Sequence, residues 1–179
     1  QIEDALSDKT RAIFAVNLLG NPNQFNNIIQ ICTKYNLLLI EDNCEALGAR
    51  YDDINTGAFG VVGTYSTFYS HHICTMEGGV AVTDDEELYH IMLSLRAHGW
   101  TRSIPDGSML YQSTGNSFYE SFNFILPGYN LRPLEIEAAI GIQQLEKVDG
   151  LIKTRRENAE YFMNLFSELD NISIQKEIG

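Results

Sequence analysis

Residues 37–43 read LLLIEDN. Four consecutive apolar residues running into acids have the pattern of a buried parallel strand, with Asp42 just past its carboxyl end. Upstream, Ala12 to Val16 (AIFAV) is a second continuous apolar run, and it stops at Asn17-Leu18-Leu19-Gly20-Asn21-Pro22, a loop by its Gly and Pro. Between the two runs, Asn23 can cap a helix over 24–35, on which Phe25, Ile28, Ile29 and Cys32 recur at core spacing. Strand, helix and strand in this order imply a right-handed parallel crossover. Ligands of open α/β sheets bind beyond the carboxyl ends of the strands, and Asp42 falls there.

The flanks are read in the same way. Residues 3–8 suggest a short helix, and 48–63 are Gly-rich and irregular. Strands are expected over 63–68 and 79–83, the second stopped by Asp84-Asp85. Either of these acids caps a helix to about Ala97, with Leu88, Ile91, Met92 and Leu95 inward and Gly99 suited to the C′ position. Residues 101–123 form a long polar loop, a length that usually signals function or mobility. After the turn at Pro127-Gly128, Pro133 suits the first turn of a helix bearing Ile136, Ala139, Ile140 and Ile142. A last helix over about 151–169 carries Ala159, Phe162, Met163 and Phe166 on one face. The opening without Met and the apolar alternation at 172–175, which reads as a strand just starting, give the expectation of a piece of a longer chain.

The chain has 179 residues, 44% of them hydrophobic, enough for a sizeable core. Its formal net charge of −12 argues against nucleic acid as a partner, because a polyanion needs a basic face. Cys32, Cys44 and Cys74 form no CxxC pair and signal neither a zinc site nor a disulfide framework. With no signal peptide and no apolar run long enough to span a membrane, free thiols and a cytoplasmic location are expected. Asn171-Ile172-Ser173 matches a glycosylation sequon, which without a secretory signal reads as a chance match.

Residues 64–79, TYSTFYSHHICTMEGG, carry the chemistry. Taken with Glu41-Asp42, Glu45 and Gly128-Tyr129-Asn130 plus Arg132, they form a spaced set: Ser66, a polar loop with His71 and His72, then Glu77-Gly78-Gly79. This set resembles the DegT/DnrJ/EryC1/StrS sugar aminotransferases, pyridoxal-phosphate enzymes of fold type I, over essentially all of the chain. The resemblance implies an α/β large domain, a mainly parallel sheet with helices on both faces. Residues 1–150 would belong to this cofactor domain, and 151–179 would be a linker helix and the start of a small C-terminal domain. It further implies that the phosphate-cupping turn and the residue stacking on the cofactor ring precede Gln1, so that this piece alone would bind cofactor weakly and not turn over.

Within the family, a lysine six residues before the Glu of Glu-Gly-Gly binds the cofactor covalently. Here that position is His71, and no lysine lies between Lys34 and Lys147. The departure resembles a subgroup, the PLP-dependent nucleotide-sugar 3-dehydratases, which the run from Ser70 to Arg102 matches. These remove the C3 hydroxyl of a nucleotide-linked 4-keto-6-deoxyhexose in deoxysugar biosynthesis for lipopolysaccharide, holding the cofactor as pyridoxamine phosphate that L-glutamate regenerates. A GDP-linked sugar is favoured, with CDP left open. A CDP-sugar relative uses an iron–sulfur cluster on four cysteines; Cys44 fits the first, but no cysteine follows Cys74, so no cluster and no metal is expected.

Carried over residue by residue, Asp42 would pair with the pyridine nitrogen, where alone it reads as a solvated strand-end acid. Ser66 would bond the cofactor phosphate, and Glu45 would orient the aminated cofactor. Asn130 would reach the phosphate of a neighbouring subunit's cofactor, which implies a homodimer. His71 would be the general base, an imidazole being the side chain whose ordinary charge change lies near neutrality. His72 is second, since the register to Glu77 selects His71. His98, Arg102 and Arg132 are candidates for substrate contact or, equally, loop anchoring. The other readings are an ordinary sugar aminotransferase, or a non-catalytic relative acting in dimerisation or regulation.

Overall fold

The computed structural model describes residues 1–169 and 171–178. Its contacts divide the chain into two compact units, Gln1–Val82 together with the segment from Glu135 onward, and Thr83–Leu134. In the first unit, β1 (Ala12–Val16), β2 (Leu38–Asp42), β5 (Val62–Ser66) and β6 (Gly79–Val82) form one sheet in that order. β1, β2 and β5 are parallel, and β6 runs antiparallel to β5. Between β2 and β5 lies a small hairpin of β3 (Arg50–Tyr51) and β4 (Ile54–Asn55).

The register sorts side chains onto two faces, because residues paired across strands share a face and alternate along each strand. Ala12 pairs with Leu38 and Val16 with Asp42. Ala15 and Leu39 therefore point one way, onto α1 (Phe25–Tyr35), and form the core with Phe25, Ile28 and Cys32. Phe25 stacks on Phe59 at 4.1 Å, with Tyr51 edge-on. On the other face Phe14, Val16 and Leu38 are 61%, 42% and 53% exposed, so α1 covers one face while this apolar face is open within the described residues.

The ends of α1 show how local polar groups shape the fold. Its N-cap is Gln24, without a side-chain bond, and not Asn23. Asn23 is used elsewhere: its Nδ2 donates to the Val16 carbonyl and to Asn17 Oδ1, both at 2.9 Å. Buried Asn17 completes the set by donating to Asn43 Oδ1 at 2.8 Å, which ties the end of β1 to the end of β2. At the other end Asn36 adopts the left-handed conformation (φ 52°), and Leu37 N–H returns to the Cys32 carbonyl, a common helix stop.

Several expectations are corrected. The segment 3–8 forms only a 3₁₀ turn, Glu3–Ala5, and the strand expected at 63–68 is β5, shifted one residue earlier and shorter. Pro133 precedes α4 (Glu135–Leu145) in the sequence rather than lying in its first turn, and Ile136 and Ile142 on α4 are exposed. α5 spans Val148–Phe166. Residues 172–175 form no strand; further on, Asn21 Nδ2 donates to the Lys176 carbonyl and Ile178 N–H to Asn21 Oδ1. Asp170 and Gly179, in the segment expected to open a second domain, lie outside the described residues.

In the second unit, α2 (Glu86–Leu95) is capped by Asp85, whose Oδ1 accepts from Leu88 N–H at 2.9 Å. Its fully buried positions are His90 and Ser94, with Leu88, Ile91, Met92 and Leu95 only half-buried. His90 turns inward because Ser108 meets its Nδ1 at 2.9 Å. The helix ends at Leu95 with Arg96 as its C-cap, so Gly99 is not at C′, yet its N–H still satisfies the Ser94 carbonyl at 2.8 Å. α3 (Ser117–Glu120) is a single turn in the long loop.

Glu41 is completely buried, and its carboxylate accepts from three backbone N–H groups: Gly57 at 2.6 Å, and Phe59 and Gly60 at 2.7 Å. Leaving a buried donor unmet costs about 1–3 kcal/mol. Glu41→Ala is therefore expected to lower unfolding stability in urea by about 3 kcal/mol or more, with a smaller loss for Glu41→Gln. A loss under about 1 kcal/mol for the alanine variant contradicts this role.

Candidate functional site

The carboxyl ends of β2 and β5 meet at Asp42, which pairs in register with Thr64. Ser66 lies two residues beyond Thr64 and so on the same, open face as Asp42. Asp42 Oδ1 accepts from Cys44 N–H at 3.0 Å, which turns the chain and fixes the carboxylate. Three residues on, Glu45 Oε2 accepts from Leu19 N–H at 2.9 Å and so holds the turn after β1. Ser66 Oγ accepts from Phe68 N–H at 3.2 Å; a hydroxyl that accepts this bond keeps its own O–H to donate. Burial raises the Cys44 pKa, and the nearby Asp42 and Glu45 carboxylates push it in the same direction. The neighbourhood is thus electronegative and suited to a cationic ring nitrogen.

The loop between β5 and β6 carries both histidines. His71 N–H donates to the Phe68 carbonyl at 3.0 Å, and its ring sits 6.3 Å from that of Phe68. His72 lines a cavity of about 430 Å³ with Leu19, Ala46, Ile152 and Arg155, and its buried Nδ1 has no hydrogen-bond partner. Burial lowers its pKa, with Arg155 and His71 acting in the same sense and Glu45 against them. Asp42, Glu45, Ser66, His71 and His72 all belong to the first unit.

In the second unit, Gly128-Tyr129-Asn130 lies against the end of α2. His98 N–H donates to the Tyr129 carbonyl at 2.7 Å, Ala97 bridges Asn130, and Leu131 N–H donates to the Arg96 carbonyl at 2.8 Å. His98 holds a positive φ of 65°. Arg102 lies 4.6 Å over the Trp100 ring, a cation–π contact that anchors the loop. Arg132 is exposed. Among the described residues no group of three His, Cys, Asp or Glu side chains could hold a metal ion, and no helix is long and apolar enough to cross a membrane. In the sequence Glu41 stands in the motif set without a role; the structure gives it one, holding the backbone of Gly57, Phe59 and Gly60 ahead of the strand that carries Ser66.

The profile of the DegT/DnrJ/EryC1/StrS aminotransferase family matches residues 1–178, and the chain belongs to this family. It is 51% identical to GDP-4-keto-6-deoxy-D-mannose 3-dehydratase of Escherichia coli O55:H7 and 52% identical to the enzyme of that name from Yersinia pseudotuberculosis. These matches cover 99% and 100% of this chain but 46% of each relative, so the chain spans about half their length. The solved E. coli enzyme with bound hydrated PLP superposes with a TM-score of 0.94 at 51% identity, covering 99% of this chain and 46% of its own. The same score holds for a histidine-to-asparagine variant of a GDP-4-keto-6-deoxymannose-3-dehydratase with bound GDP-perosamine. It holds too for a variant with a histidine replaced by lysine and the preceding serine by asparagine, and for a form with a trapped PLP-glutamate geminal diamine. The fold is accordingly that of the PLP-dependent aminotransferases.

A histidine held neutral by the fold binds protons more readily once unfolded. Its contribution to stability is therefore lost as pH falls below the ordinary imidazole range. Acidifying from neutrality is expected to lower the Tm of the wild type more steeply than that of His72→Gln; parallel slopes contradict the lowered pKa of His72. For Cys44 the direction is opposite. In a Cys32→Ser/Cys74→Ser background its iodoacetamide labelling should rise at higher pH than that of a free thiol, and Asp42→Asn should move the curve down.

Proposed function

We propose that the whole protein is a 3-dehydratase that removes the C3 hydroxyl of a GDP-linked 4-keto-6-deoxyhexose, using pyridoxamine phosphate regenerated by L-glutamate. The observation that carries this reading is Ser70-His71. The solved relative has a histidine directly preceded by a serine, the pair exchanged in its lysine variant, and Ser-His occurs once in this sequence. That pair supports His71 rather than His72 as the base, and the two rings have different surroundings.

The residues present fit the cofactor. Asp42 stands in an electronegative turn at a strand end and suits a protonated pyridine nitrogen. Ser66 retains an O–H for a phosphate oxygen. When bound, pyridoxamine phosphate supplies an amine for the sugar's C4 ketone and a pyridinium electron sink. His71 takes the proton leaving the cofactor's C4′ carbon and delivers it to the C3 oxygen as that group departs as water. Asp42 keeps the ring nitrogen protonated, and Glu45 orients the amine end. Overall, one glutamate is consumed, and 2-oxoglutarate, ammonia and the 3-deoxy-4-keto sugar are released.

The same reading includes a homodimer in which Asn130 serves the neighbouring subunit's site, a cytoplasmic location, and a domain boundary near residue 150. The exposed Ile136 and Ile142 support burial against further protein. His98, Arg102 and Arg132 remain candidates for substrate contact, with Arg102 tied to Trp100. A sugar aminotransferase is the alternative, and relatives such as GDP-perosamine synthase of Escherichia coli O157:H7 are 33% identical; the lack of lysine between Lys34 and Lys147 counts against it.

The test is product mass with GDP-4-keto-6-deoxymannose and glutamate. Loss of one oxygen is expected, and gain of an amine overturns the reading. His71→Asn should lower dehydration by about 10²–10⁴-fold, the range for a general acid–base. Borohydride should not attach cofactor to the protein, and covalent trapping at a lysine contradicts the proposal.

A further inference from the structure

The histidine loop has its own closure. It leaves β5 after Ser66 and returns at Gly79, the last pair of the antiparallel ladder. Thr67 N–H donates to the Gly78 carbonyl at 3.1 Å, and Thr75 N–H donates to the Thr67 carbonyl at 2.8 Å. Thr75 Oγ1 lies 2.7 Å from Thr67 Oγ1 and 2.6 Å from the Glu77 carbonyl. A hydroxyl carries one hydrogen, so both contacts are made together when Thr67 supplies the hydrogen between the two hydroxyls.

Both threonines are buried, at 8% and 7% exposure, in a stretch otherwise half-exposed or exposed apart from Ile73. The neck has no spare room. Gly78 holds a φ of 128°, and a Cβ there would lie 2.8 Å from Thr67 Oγ1 and 3.1 Å from Thr75 Oγ1. Met76, between Thr75 and Glu77, is driven to a φ of 75°, which a long side chain rarely adopts. Beyond this neck, the backbone bond at His71 is the short-range one to the Phe68 carbonyl. The imidazole's position therefore depends on how firmly the neck is shut.

We propose that Thr67 and Thr75 are positioning residues for His71, a two-hydroxyl clasp that fixes the loop and so aims the imidazole. This rests on the reading of His71 as the base. Neither threonine touches the reacting atoms; they act through the loop. Removing the Thr75 hydroxyl takes the acceptor from Thr67 Oγ1 and the donor from the Glu77 carbonyl, and removing the Thr67 hydroxyl leaves Thr75 Oγ1 only its backbone carbonyls, so either loss loosens the neck.

The test uses the whole enzyme and five variants. Thr75→Val keeps the shape and removes the hydroxyl, and Thr75→Ser restores it. Thr75→Val and Thr67→Val are each expected to lower kcat by about 10- to 100-fold with KM little changed, since misplacement of about 1 Å costs about 10²-fold. Thr75→Ser should return kcat to near the wild-type value. The double valine variant should be little worse than either single, because one clasp is broken once. Wild-type kcat in Thr75→Val, additive losses in the double variant, or failure of serine to rescue each overturns the clasp. If Thr75→Val does not fold, Thr67→Val against Thr75→Ser gives the same contrast. His71→Asn separates the two layers: intact dehydration there refutes the base itself, whereas its loss alongside full activity of Thr75→Val refutes the clasp alone.

Discussion

The fully buried carboxylate of Glu41 is the contact on which the first unit depends. It gathers the N–H groups of Gly57, Phe59 and Gly60, and the Glu41 carbonyl accepts from Thr64 Oγ1 at 3.3 Å. A buried charge is tolerated only when its bonds are made, and three N–H donors meet that demand. The chain entering β5 is thereby fastened to β2. Fastening sets the register of Asp42 against Thr64, and that register puts Ser66 on Asp42's face. The residue before Asp42 faces the core so that Asp42 can face the opposite way.

The same logic explains what could be read from residues and what could not. β1, α1 and β2 were legible because continuous apolar runs and a 3.6-residue period report burial directly. The hairpin at 50–55 was not, since two-residue strands have no period; its turn, Asp52-Asp53 at φ 49° and 61°, looks like any polar loop. Glu41 was invisible as an anchor because its partners are backbone N–H groups, which have no sequence signature. On α2, Leu88, Ile91, Met92 and Leu95 read as inward, whereas the buried positions are His90 and Ser94, and His90 finds Ser108 eighteen residues away. α4 reads as a core helix because its apolar side chains say what must be covered but not by what.

Adjacent histidines show how one residue of offset changes chemistry. His72 turns into a cavity wall, where burial and Arg155 disfavour its charged form. His71 stays on the loop with a backbone tie to Phe68. A count of histidines cannot separate them. On the proposed reading, the spacing to Glu77 and the preceding Ser70 both favour His71.

On the proposed reading, a histidine standing where the family's lysine would be changes the mechanical demand on the loop. A lysine that bonds to a cofactor is held at both ends, so the cofactor itself orients the side chain. An imidazole has no such tether, and on the proposed reading it must also serve two atoms in turn. Orientation then has to come from the protein. The buried threonine pair and the strained return at Met76 are what this loop has instead. Rigidity that a covalent bond would have provided is moved into the neck, one hydrogen-bonded turn away from the group that needs it.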